Sequence, residues 1–457
     1  MELTLEEIIA AVGPLRVTGM GGTFAAVCTD TRKLKPGELF VALKGERFDG
    51  ARFIPQALEM GAGGVVCRRG ATDNSKFTKA GRALIIEVED TLRALGDMAR
   101  FVRNKYMPRV AAVTGSNGKT TVKEIVAAMC RARAPTAASR ASFNNAVGLP
   151  LSLLAISGDE RYVVVEMGMN SPGEIDYLAG IATPDVGLIT NVGPSHIGPM
   201  GSLEAIARAK AEVWSHLRPD GTAVIAGSDP LVVRYAGDLR CRRITFGTEE
   251  CHDVHPLAQE GEMLRASVTG KLICLPMPGP GPHAGANLLA ALAVAAALGV
   301  DPETASRYEA FYTPPPGRLR VQEAPGGLTL IDDTYNANPA SMRVALEVLK
   351  GLEGRRKLVV LGEMAELGDH AVHEHREIGK AAAFADFLFC SGEHASQYSY
   401  GAREGGMPAS RVMTGGDAMD LAHPLQEAVR EGDVVLVKGS RVARMERLAT
   451  VLMRENQ

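Results

Sequence analysis

Short apolar runs alternate along this chain with longer segments in which apolar residues recur every three or four positions. In the middle of the chain the apolar runs are RVAAV (109–113), RYVVVE (161–166), DVGLIT (185–190) and TAVIA (222–226). Near-continuous runs of this kind are typical of parallel strands that are covered on both faces. The pattern therefore predicts an α/β fold with a parallel sheet in the middle of the chain.

The alternation divides the chain into three blocks, which we predict to be three α/β domains: residues 1–107, 108–312 and 313–457. The first block ends in a helical run, DTLRALGDMARFVRNKY (90–106), and TPPPGR (313–318) is the clearest linker. The third block alternates again, through LTLID, KLVVLG, FLFCSG and DVVLVKG. We expect hinge motion at both junctions.

The composition narrows the class of protein. Of the 457 residues, 46% are hydrophobic, and a formal net charge of −3 gives no reason to expect nucleic acid or an anionic membrane as a partner. The seven cysteines are scattered and never spaced CxxC, which is typical of reduced thiols in a cytosolic protein. The chain opens on the acidic ELTLEEIIAA, and its most apolar run, NLLAALAVAAALGV, is too short to span a bilayer. We expect a cytoplasmic enzyme, by default a monomer.

The stretch AAVTGSNGKTTVKE (111–124) carries the clearest chemistry. A buried strand, a glycine loop and a helix follow one another, and in this context backbone N–H groups converge on a phosphate. Lys119 adds a positive charge, and Thr120 can offer its hydroxyl to magnesium. The loop is a shorter variant of the common pattern, because Val113 stands at the usual first glycine. The predicted nucleotide-binding residues are Thr114, Gly115, Ser116, Asn117, Gly118, Lys119, Thr120 and Thr121.

Further candidates follow strands of the middle block, where ligands of an open parallel sheet bind. Glu166 ends one strand and is either a magnesium ligand or a solvated turn residue. His196 follows the next strand and is either a metal ligand or a structural histidine. Lys210 falls inside the apolar stripe of the helix SLEAIARAKAEVWSHL, where a lysine either snorkels to solvent or is paired. The residues alone leave these roles open.

The third block carries LTLIDDTYNANPASM, in which a strand ends at Asp332 and Asp333. Two aspartates at a strand end suit a ribose hydroxyl or a cation. Asn338 can cap the helix that Pro339 opens. Capping leaves the two aspartates and Asn336 unexplained, so we expect a binding role for them.

Charged residues near the third block point to an anionic ligand. Lys438 and Arg441 follow a strand and precede a helix, and Arg318 lies at the domain junction, where it can touch a phosphate on closure. The spacing of CHDVH (251–255) matches no metal template, and DHAVHEH (369–375) lies on a predicted helix where His370 and His373 face one way and His375 another. We expect both clusters to be mostly solvated surface, with an exception at His375.

Several motifs together resemble the Mur ligases, ATP-dependent enzymes that build the peptidoglycan precursor. The resemblance rests on TGSNGKTT, NNAVGLP, EMG at Glu166, TNVGPSH, KAE at Lys210, DDTYNANP, LGEMAELG and VKGSR, and it covers essentially the whole chain in order. DDTYNANP and LGEMAELG are similar to the branch that adds D-alanyl-D-alanine to UDP-N-acetylmuramoyl-tripeptide. The resemblance implies a central P-loop-type ATPase domain, a Rossmann-like C-terminal domain and an N-terminal α/β domain that binds the UDP substrate.

The resemblance also implies ATP and Mg²⁺, and it reverses the ordinary interpretations of His196 and Lys210. Lys210 matches a lysine that is carbamylated, which turns its ammonium into a carboxylate. His375 matches a histidine that follows ELG in relatives. The implied catalytic residues are Lys119, Lys210, His196 and Arg318; the metal ligands are Thr120, Glu166, His196 and Lys210. Further nucleotide contacts are Asn287, Arg318 and Asp333.

The segment TDTRKLKPGELFVAL followed by GERFDG resembles the family's uridine-nucleotide domain, although TDTR alone would be a charged turn. The implied substrate contacts are Thr31, Arg32, Asp49, Gly50, Asn145, Asn336 and Asn338. No motif assigns the third residue of the tripeptide, lysine or diaminopimelate, or the contacts of D-alanyl-D-alanine.

Two other functions compete with this interpretation. One is a related ligase with a different acceptor, such as folate, against which DDTYNANP and the UDP-type first block argue. The other is a nucleotide-gated switch or assembly ATPase. That class needs a partner surface, and the sequence shows no arm, coiled coil or basic patch.

Overall fold

A computed structural model of the chain describes residues 2–45, 48–71, 84–195 and 197–454. Within these ranges each of the three blocks forms an α/β unit around its own sheet, and most neighbouring strands are parallel. The predicted fold class is therefore confirmed. The domain boundaries at 107/108 and 312/313 stay predictions.

The first unit has short strands and three helices in its described part. Its strands are β1 Leu3–Thr4, β2 Arg16–Thr18, β3 Thr23–Phe24, β4 Val27–Cys28, β5 Leu39–Val41, β6 Gly64–Arg68 and β7 Leu84–Val88. Its helices are α1 Leu5–Val12, α2 Ile54–Glu59 and α3 Thr91–Tyr106. The sheet order is β2–β7–β6–β5–β4, antiparallel only at β2, and β1 pairs with β3.

The central unit contains the strands that the apolar runs predicted. Its strands are β8 Arg109–Thr114, β9 Thr136–Ala138, β10 Tyr162–Glu166, β11 Val186–Ile189, β12 Thr222–Ala226, β13 Arg242–Phe246, β14 Val254–Glu260, β15 Met263–Val268 and β16 Lys271–Pro276. Its helices are α4 Lys119–Arg131, α5 Gly148–Leu154, α6 Glu174–Ala182, α7 Ile197–Met200, α8 Leu203–Ala211, α9 Pro230–Ala236, α10 Pro282–Ala297 and α11 Pro302–Ala305.

The order of the central sheet is β16–β15–β14–β13–β12–β11–β8–β10–β9, parallel except at β14–β15–β16. Strand β8 lies between β11 and β10, so the chain leaves β8 where the connections diverge to the two sides of the sheet. A crevice forms beyond the carboxyl ends of strands at such a switch point, and it is where ligands of this architecture bind.

The C-terminal unit is a second, mostly parallel sheet. Its strands are β17 Arg320–Ala324, β18 Leu328–Asp333, β19 Lys357–Leu361, β20 Phe387–Ser391, β21 Val412–Gly415 and β22 Val434–Lys438. Its helices are α12 Pro339–Gly351, α13 Ala371–Ala381, α14 Ala395–Glu404, α15 Ala422–Ala428 and α16 Glu446–Leu452. The order is β17–β18–β22–β19–β20–β21, antiparallel only at β17.

Helix α3 belongs to the first and the central unit at once. Asp90 caps it by accepting hydrogen bonds from the N–H groups of Leu92 and Arg93. Its buried apolar side chains join one continuous core that runs from α1 into the central sheet, and the helix lies against α1, α5 and α6. A hinge near residue 107 would have to break this packing. The junction after residue 313 is therefore the easier place for motion.

Arg103 fastens the end of α3 to the central unit. Its side chain is 1% exposed. Its guanidinium donates to the backbone oxygens of Ala182 and Thr183, both at 2.9 Å, and pairs with Asp185 at 3.2 Å. A buried cation is tolerated only with such partners. Arg103 therefore ties the first two units together.

We expect Arg103→Met to lower the free energy of unfolding by about 3 kcal/mol, because the two carbonyls and Asp185 lose a buried donor. Urea unfolding followed by circular dichroism measures this change. Arg100→Met is the control, since Arg100 lies on the same helix with an exposed side chain. It should change stability by less than about 0.5 kcal/mol. Equal losses in the two variants would contradict an anchoring role for Arg103.

None of the seven cysteines forms a disulfide in the part of the chain that the structure describes. In the described part of the chain, no helix is both long and apolar enough to cross a membrane. The most apolar run forms most of α10, whose side chains are largely buried in the central core.

Candidate active site

A cavity of about 790 Å³ lies between the central and the C-terminal unit, and residues of both units line it. The predicted site residues in its lining are Ser116, Asn117, Gly118, Lys119, Thr121, Asn145, Glu166, Asn287, Arg318, Asp333, Asn336 and Asn338. Three predicted nucleotide-binding residues, Thr114, Gly115 and Thr120, lie behind this lining. The fold thus gathers candidates from distant parts of the sequence around one space.

The loop after β8 has the backbone geometry of a phosphate cradle. Gly115 and Gly118 have φ angles of +146° and +81°, and Gly118 immediately precedes α4. Lys119 Nζ donates to the carbonyl oxygen of Gly115 at 2.9 Å, so its ammonium closes the loop. Burial lowers the pKa of Lys119; Glu166 opposes this shift and Arg318 adds to it.

The segment after β11 holds the glycine loop from the side. Asn191 Oδ1 accepts from the N–H of Asn117 at 3.0 Å, and the backbone oxygen of Asn191 accepts from the N–H of Ser116 at 2.9 Å. Thr190 Oγ1 donates to the backbone oxygen of Asn117 at 2.6 Å. These hydrogen bonds fix the backbone of the loop from the β11 side, which preorganises it for an anion.

We expect Gly115→Ala to weaken nucleotide binding about 30-fold, because a Cβ at residue 115 would lie 1.8 Å from Thr190 Oγ1 and the loop would have to shift. Calorimetric titration with ADP measures the affinity. Gly173→Ala is the control, since Gly173 also has a positive φ, +84°, but open space around its Cβ position. If Gly115→Ala bound ADP as tightly as the unmodified protein, the assignment of the glycine loop as the phosphate-binding site would be wrong.

Beside the glycine loop, three side chains form a connected group. Thr120 Oγ1 donates to Glu166 Oε2 at 2.7 Å, and Asn144 Nδ2 donates to Glu166 Oε1 at 2.8 Å. Glu166 is 1% exposed, so its carboxylate is shielded from water. A hydroxyl and a carboxylate are hard oxygen donors of the kind that Mg²⁺ prefers.

Arg318 reaches from the domain junction to the central unit. Its Nη2 donates to Thr120 Oγ1 at 3.0 Å, and its guanidinium stacks on the ring of Tyr335 with 3.9 Å to the ring centroid. The stacking fixes the plane of the guanidinium. Arg318 is thus a positive charge that the C-terminal side of the linker delivers to the cavity.

Lys210 lies on the buried face of α8. It is 2% exposed, so the snorkelling interpretation is wrong. Burial holds the pKa of Lys210 well below its usual value of 10.5, and the charge of Lys119 lowers it further. The predicted apolar stripe begins later than expected, because Leu203 is 42% exposed. His196, the predicted metal ligand nearby in sequence, lies outside the described residues.

Asp333 faces the cavity as half of a buried ion pair. Lys438 Nζ donates to Asp333 Oδ2 at 2.5 Å and to the backbone oxygen of Asn336 at 3.0 Å. Asp332 instead accepts from Thr334 Oγ1 at 2.6 Å. Of the two aspartates, only Asp333 lines the cavity.

Asn338 joins the C-terminal unit to the glycine loop. It caps α12 by accepting from the N–H of Ser341, with Pro339 in the first turn, as the sequence predicted. Its Nδ2 donates to Asn117 Oδ1 at 2.9 Å across the cavity. Arg441, by contrast, is exposed beside Glu446 and does not line the cavity.

The start of α10 supplies another wall of the cavity. A Cβ on Gly118 would lie 2.4 Å from Asn287 Oδ1, so this wall approaches the glycine loop closely. His283 Nδ1 is buried without a hydrogen-bond partner among the described residues. Burial lowers the pKa of His283. A ligand that enters the cavity can satisfy this unpaired nitrogen.

The four substrate candidates of the first unit lie away from this cavity, at the carboxyl edge of the first sheet. Thr31 Oγ1 donates to Gln56 Oε1 at 3.2 Å, and Arg32 is exposed beside Asp30. Asp49 and Gly50 already have structural roles. Asp49 Oδ1 accepts from the N–H of Ala51, and a Cβ on Gly50 would meet the backbone oxygen of Leu43 at 2.6 Å. Their predicted substrate contacts stay predictions.

The expectation of solvated histidine clusters holds for His370 and His373, which are exposed, whereas His252 and His255 are half-buried. His375 is fully buried; its Nε2 accepts from the N–H of Met364 at 3.0 Å and its Nδ1 donates to the backbone oxygen of Ala371 at 2.7 Å. Glu363 Oε1 lies 3.1 Å from His375 and 2.7 Å from His394. Because the lone pair of His375 Nε2 is occupied by Met364, we describe this cluster as a hydrogen-bond network that holds the loop after β19.

Sequence reasoning assigned no role to three residues that the structure places in or beside the site. Asn144 orients Glu166, Tyr335 supports Arg318, and Lys123 lies buried one turn beyond Lys119. A signal existed only for Lys123, as a lysine among the apolar positions of α4. Asn144 and Tyr335 acquire their roles through contacts between distant segments.

Comparison with known proteins matches all three units. The Mur ligase family catalytic domain matches residues 23–103, the Mur ligase middle domain residues 113–295, and the Mur ligase glutamate ligase domain residues 317–441. The UDP-N-acetylmuramoyl-tripeptide--D-alanyl-D-alanine ligases of Bacillus subtilis and Escherichia coli are 36% and 35% identical to this chain. The first covers 93% of both chains, the second 94% of both.

Solved structures agree with this match. The crystal structure of MurF from Acinetobacter baumannii has a TM-score of 0.88 at 31% identity and covers 99% of both chains. MurF ligase from Thermotoga maritima in complex with ADP has a TM-score of 0.80 at 29% identity, over 94% of this chain and 97% of that one.

The glycine loop at the switch point of one parallel sheet and the second sheet facing it define a three-domain α/β enzyme of the nucleotide-binding class. At more than 30% identity to relatives matched over more than nine tenths of its length, the chain belongs to the Mur ligase family.

Proposed function

We propose that this chain acts as an ATP-dependent ligase that joins D-alanyl-D-alanine to UDP-N-acetylmuramoyl-tripeptide in peptidoglycan precursor synthesis. The observation that carries this conclusion is the cavity in which the glycine loop and the DDTYNANP segment face each other. Both walls belong to regions that match Mur ligase domains, and the relatives named for this reaction align along nearly the whole chain.

ATP fits the cavity on the central side. The positions of Gly115 and Gly118 leave no room for a Cβ, so the backbone can approach the phosphates closely. In this proposal Lys119 meets the phosphates, Asn287 and the unpaired His283 meet the base, and Asp333 meets the ribose. The ADP complex of the Thermotoga maritima relative supports this placement of a nucleotide.

Mg²⁺ fits beside the phosphates at Thr120 and Glu166, because both offer hard oxygen donors. When bound, the metal supplies positive charge that neutralises the phosphate oxygens. We place a second metal position at His196 and Lys210. The lowered pKa of Lys210 raises the fraction of uncharged amine, whose lone pair can form an N–C bond to CO₂ while a proton leaves to water. The resulting carbamate offers carboxylate oxygens.

The main task of the site is to bring two anions together. The tripeptide carboxylate attacks the γ-phosphorus and displaces ADP, which gives an acyl phosphate. The amine of D-alanyl-D-alanine then attacks the acyl carbon, phosphate leaves with its electron pair, and the amine proton goes to solvent. Lys119 and Arg318 place positive charge where the anions meet, and closure of the domains keeps water from the acyl phosphate.

We assign the UDP end of the substrate to the carboxyl edge of the first sheet. The proposed contacts are Thr31, Arg32, Asp49 and Gly50 in the first unit, followed by Asn145, Asn336 and Asn338 along the path to the cavity. We further propose that the protein is cytoplasmic, because ATP and UDP-linked precursors are cytoplasmic substrates. We also propose that it is a monomer. Light scattering after size-exclusion chromatography tests the monomer.

Phosphate release from Mg-ATP tests the function directly. The assay contains UDP-N-acetylmuramoyl-tripeptide, with lysine or diaminopimelate as the third residue, with and without D-alanyl-D-alanine. We expect release that needs both substrates and a pentapeptide product detected by mass spectrometry. Release that ignores both substrates would leave the nucleotide site in place and overturn the substrate assignment.

A further inference from the structure

Lys123 is a charged side chain with no exposed surface, buried inside the central unit. It lies on α4 one turn after Lys119 and Thr120 and, unlike Lys119, does not line the cavity. Burial of an ammonium is costly unless each of its donors is satisfied. Its contacts therefore show what holds the residue there.

The three donors of the Lys123 ammonium have three acceptors. Nζ donates to the backbone oxygen of Ser139 at 2.5 Å and to that of Ala141 at 3.1 Å, and it pairs with Glu124 Oε1 at 2.8 Å. Two of the three acceptors belong to the loop that follows β9. Ala141 has a φ of +44°, a conformation that a non-glycine residue adopts only when its surroundings impose it. The charge on Lys123 thus holds a strained loop against α4.

This loop continues directly to the group beside the glycine loop. Ser139 Oγ accepts from the N–H of Glu166 at 3.1 Å, and Asn144 Nδ2 donates to Glu166 Oε1. Glu166 in turn accepts from Thr120, which lies on the same helix as Lys123. The contacts close a ring from α4 through the loop to Glu166 and back to α4.

We infer that Lys123 is a positioning residue: it fixes the 139–145 loop so that Ser139 holds the backbone of Glu166 and Asn144 holds its carboxylate in the orientation that a divalent cation needs. The inference rests on the proposed function only in assigning Mg²⁺ to Thr120 and Glu166. Loss of a residue that orients a metal ligand through hydrogen bonds typically changes metal affinity by about 10–100-fold. Glu124 supplies only the outer partner of the ammonium.

The test compares Lys123→Met and Lys123→Gln with Arg103→Met. Arg103 is a matched control, because it is also a buried cation that donates to backbone oxygens of the central unit, away from the cavity. Three quantities are measured: the dissociation constant of Mn²⁺ for the ADP-bound protein, the Mg²⁺ concentration for half-maximal ligation, and amide hydrogen exchange of residues 140–145.

We expect Lys123→Met to raise both metal constants at least about tenfold and to accelerate exchange in the loop, with a smaller change in Lys123→Gln, whose amide retains a donor. Arg103→Met should lower thermal stability with metal constants within twofold of the unmodified protein. Asn144→Ala should reproduce the metal effect, and adding it to Lys123→Gln should give less than the sum of the two changes in binding free energy, because both act through one contact.

Unchanged Mn²⁺ binding and unchanged loop exchange in Lys123→Met would overturn the inference, as would an effect fully additive with Asn144→Ala. If Lys123→Met does not fold, Lys123→Gln decides by the same criteria. Failure of the unmodified protein to join D-alanyl-D-alanine would instead overturn the proposed function. Mn²⁺ binding and hydrogen exchange would still test the positioning role of Lys123.

Discussion

Replacement of Lys119 by methionine should reduce phosphate release with both substrates by about 1000-fold while the protein remains folded. Lys119 closes the glycine loop through Gly115 and lines the cavity. Methionine keeps a side chain of similar length but removes the charge that offsets repulsion between the phosphate and the attacking carboxylate. A coupled phosphate assay measures turnover, and calorimetric titration with ADP measures binding.

Lys350→Met is the control for this change, because Lys350 is an exposed lysine of the C-terminal unit, paired with Glu347. Its loss should leave turnover within about twofold. Full turnover by a folded Lys119→Met protein would remove Lys119 from the catalytic set and would mean that another residue meets the phosphate charge.

Lys210→Met should have two effects of opposite direction: ligation about 100-fold slower and a folded state that is more stable near neutral pH. Ligation falls because the proposed metal ligand is lost. Stability rises because methionine fills a buried position without the cost of desolvating an amine. Turnover assays and urea unfolding in CO₂-free buffer measure the two effects on the same preparations.

The difference in stability between Lys210→Met and the unmodified protein should depend on pH. Folding holds the pKa of Lys210 well below 10.5, so between the two values the unfolded chain binds more protons than the folded one. Stability of the unmodified protein therefore rises with pH across that window, and the advantage of Lys210→Met should shrink as pH approaches 10.5. An advantage that stays constant with pH would contradict the depressed pKa. If a carbamate forms on Lys210, bicarbonate should also reduce the stability advantage of Lys210→Met.

The strands and the glycine loop could be predicted from the sequence because their signals are local. RVAAV and the runs after it are apolar on both faces, and each became a parallel strand within a residue or two. The cap at Asn338 and the first-turn proline at Pro339 were likewise local and are confirmed. The apolar stripe alone left Lys210 open between a snorkelling lysine and a buried one.

What could not be predicted depends on segments that meet only in the folded chain. The stacking of Arg318 on Tyr335 joins a linker to a strand end, and the pairing of Lys438 with Asp333 joins residues 105 positions apart. The sequence pointed to an anionic ligand near Lys438 and gave no sign of this ion pair; because Lys438 also lines the cavity, the ligand stays a prediction. Helix α3 lies against two units because of tertiary packing, which no local pattern reports.

That shared helix determines where this ligase can be recombined with a relative. A crossover at residue 107 would follow the block boundary in the sequence, yet it would set α3 of one parent against α5 and α6 of the other and would separate the origins of Arg103 and Asp185. A crossover within 313–318 leaves that interface intact and exchanges only contacts between the central and the C-terminal unit. Among chimeric ligases, functional ones should therefore inherit the first two units together.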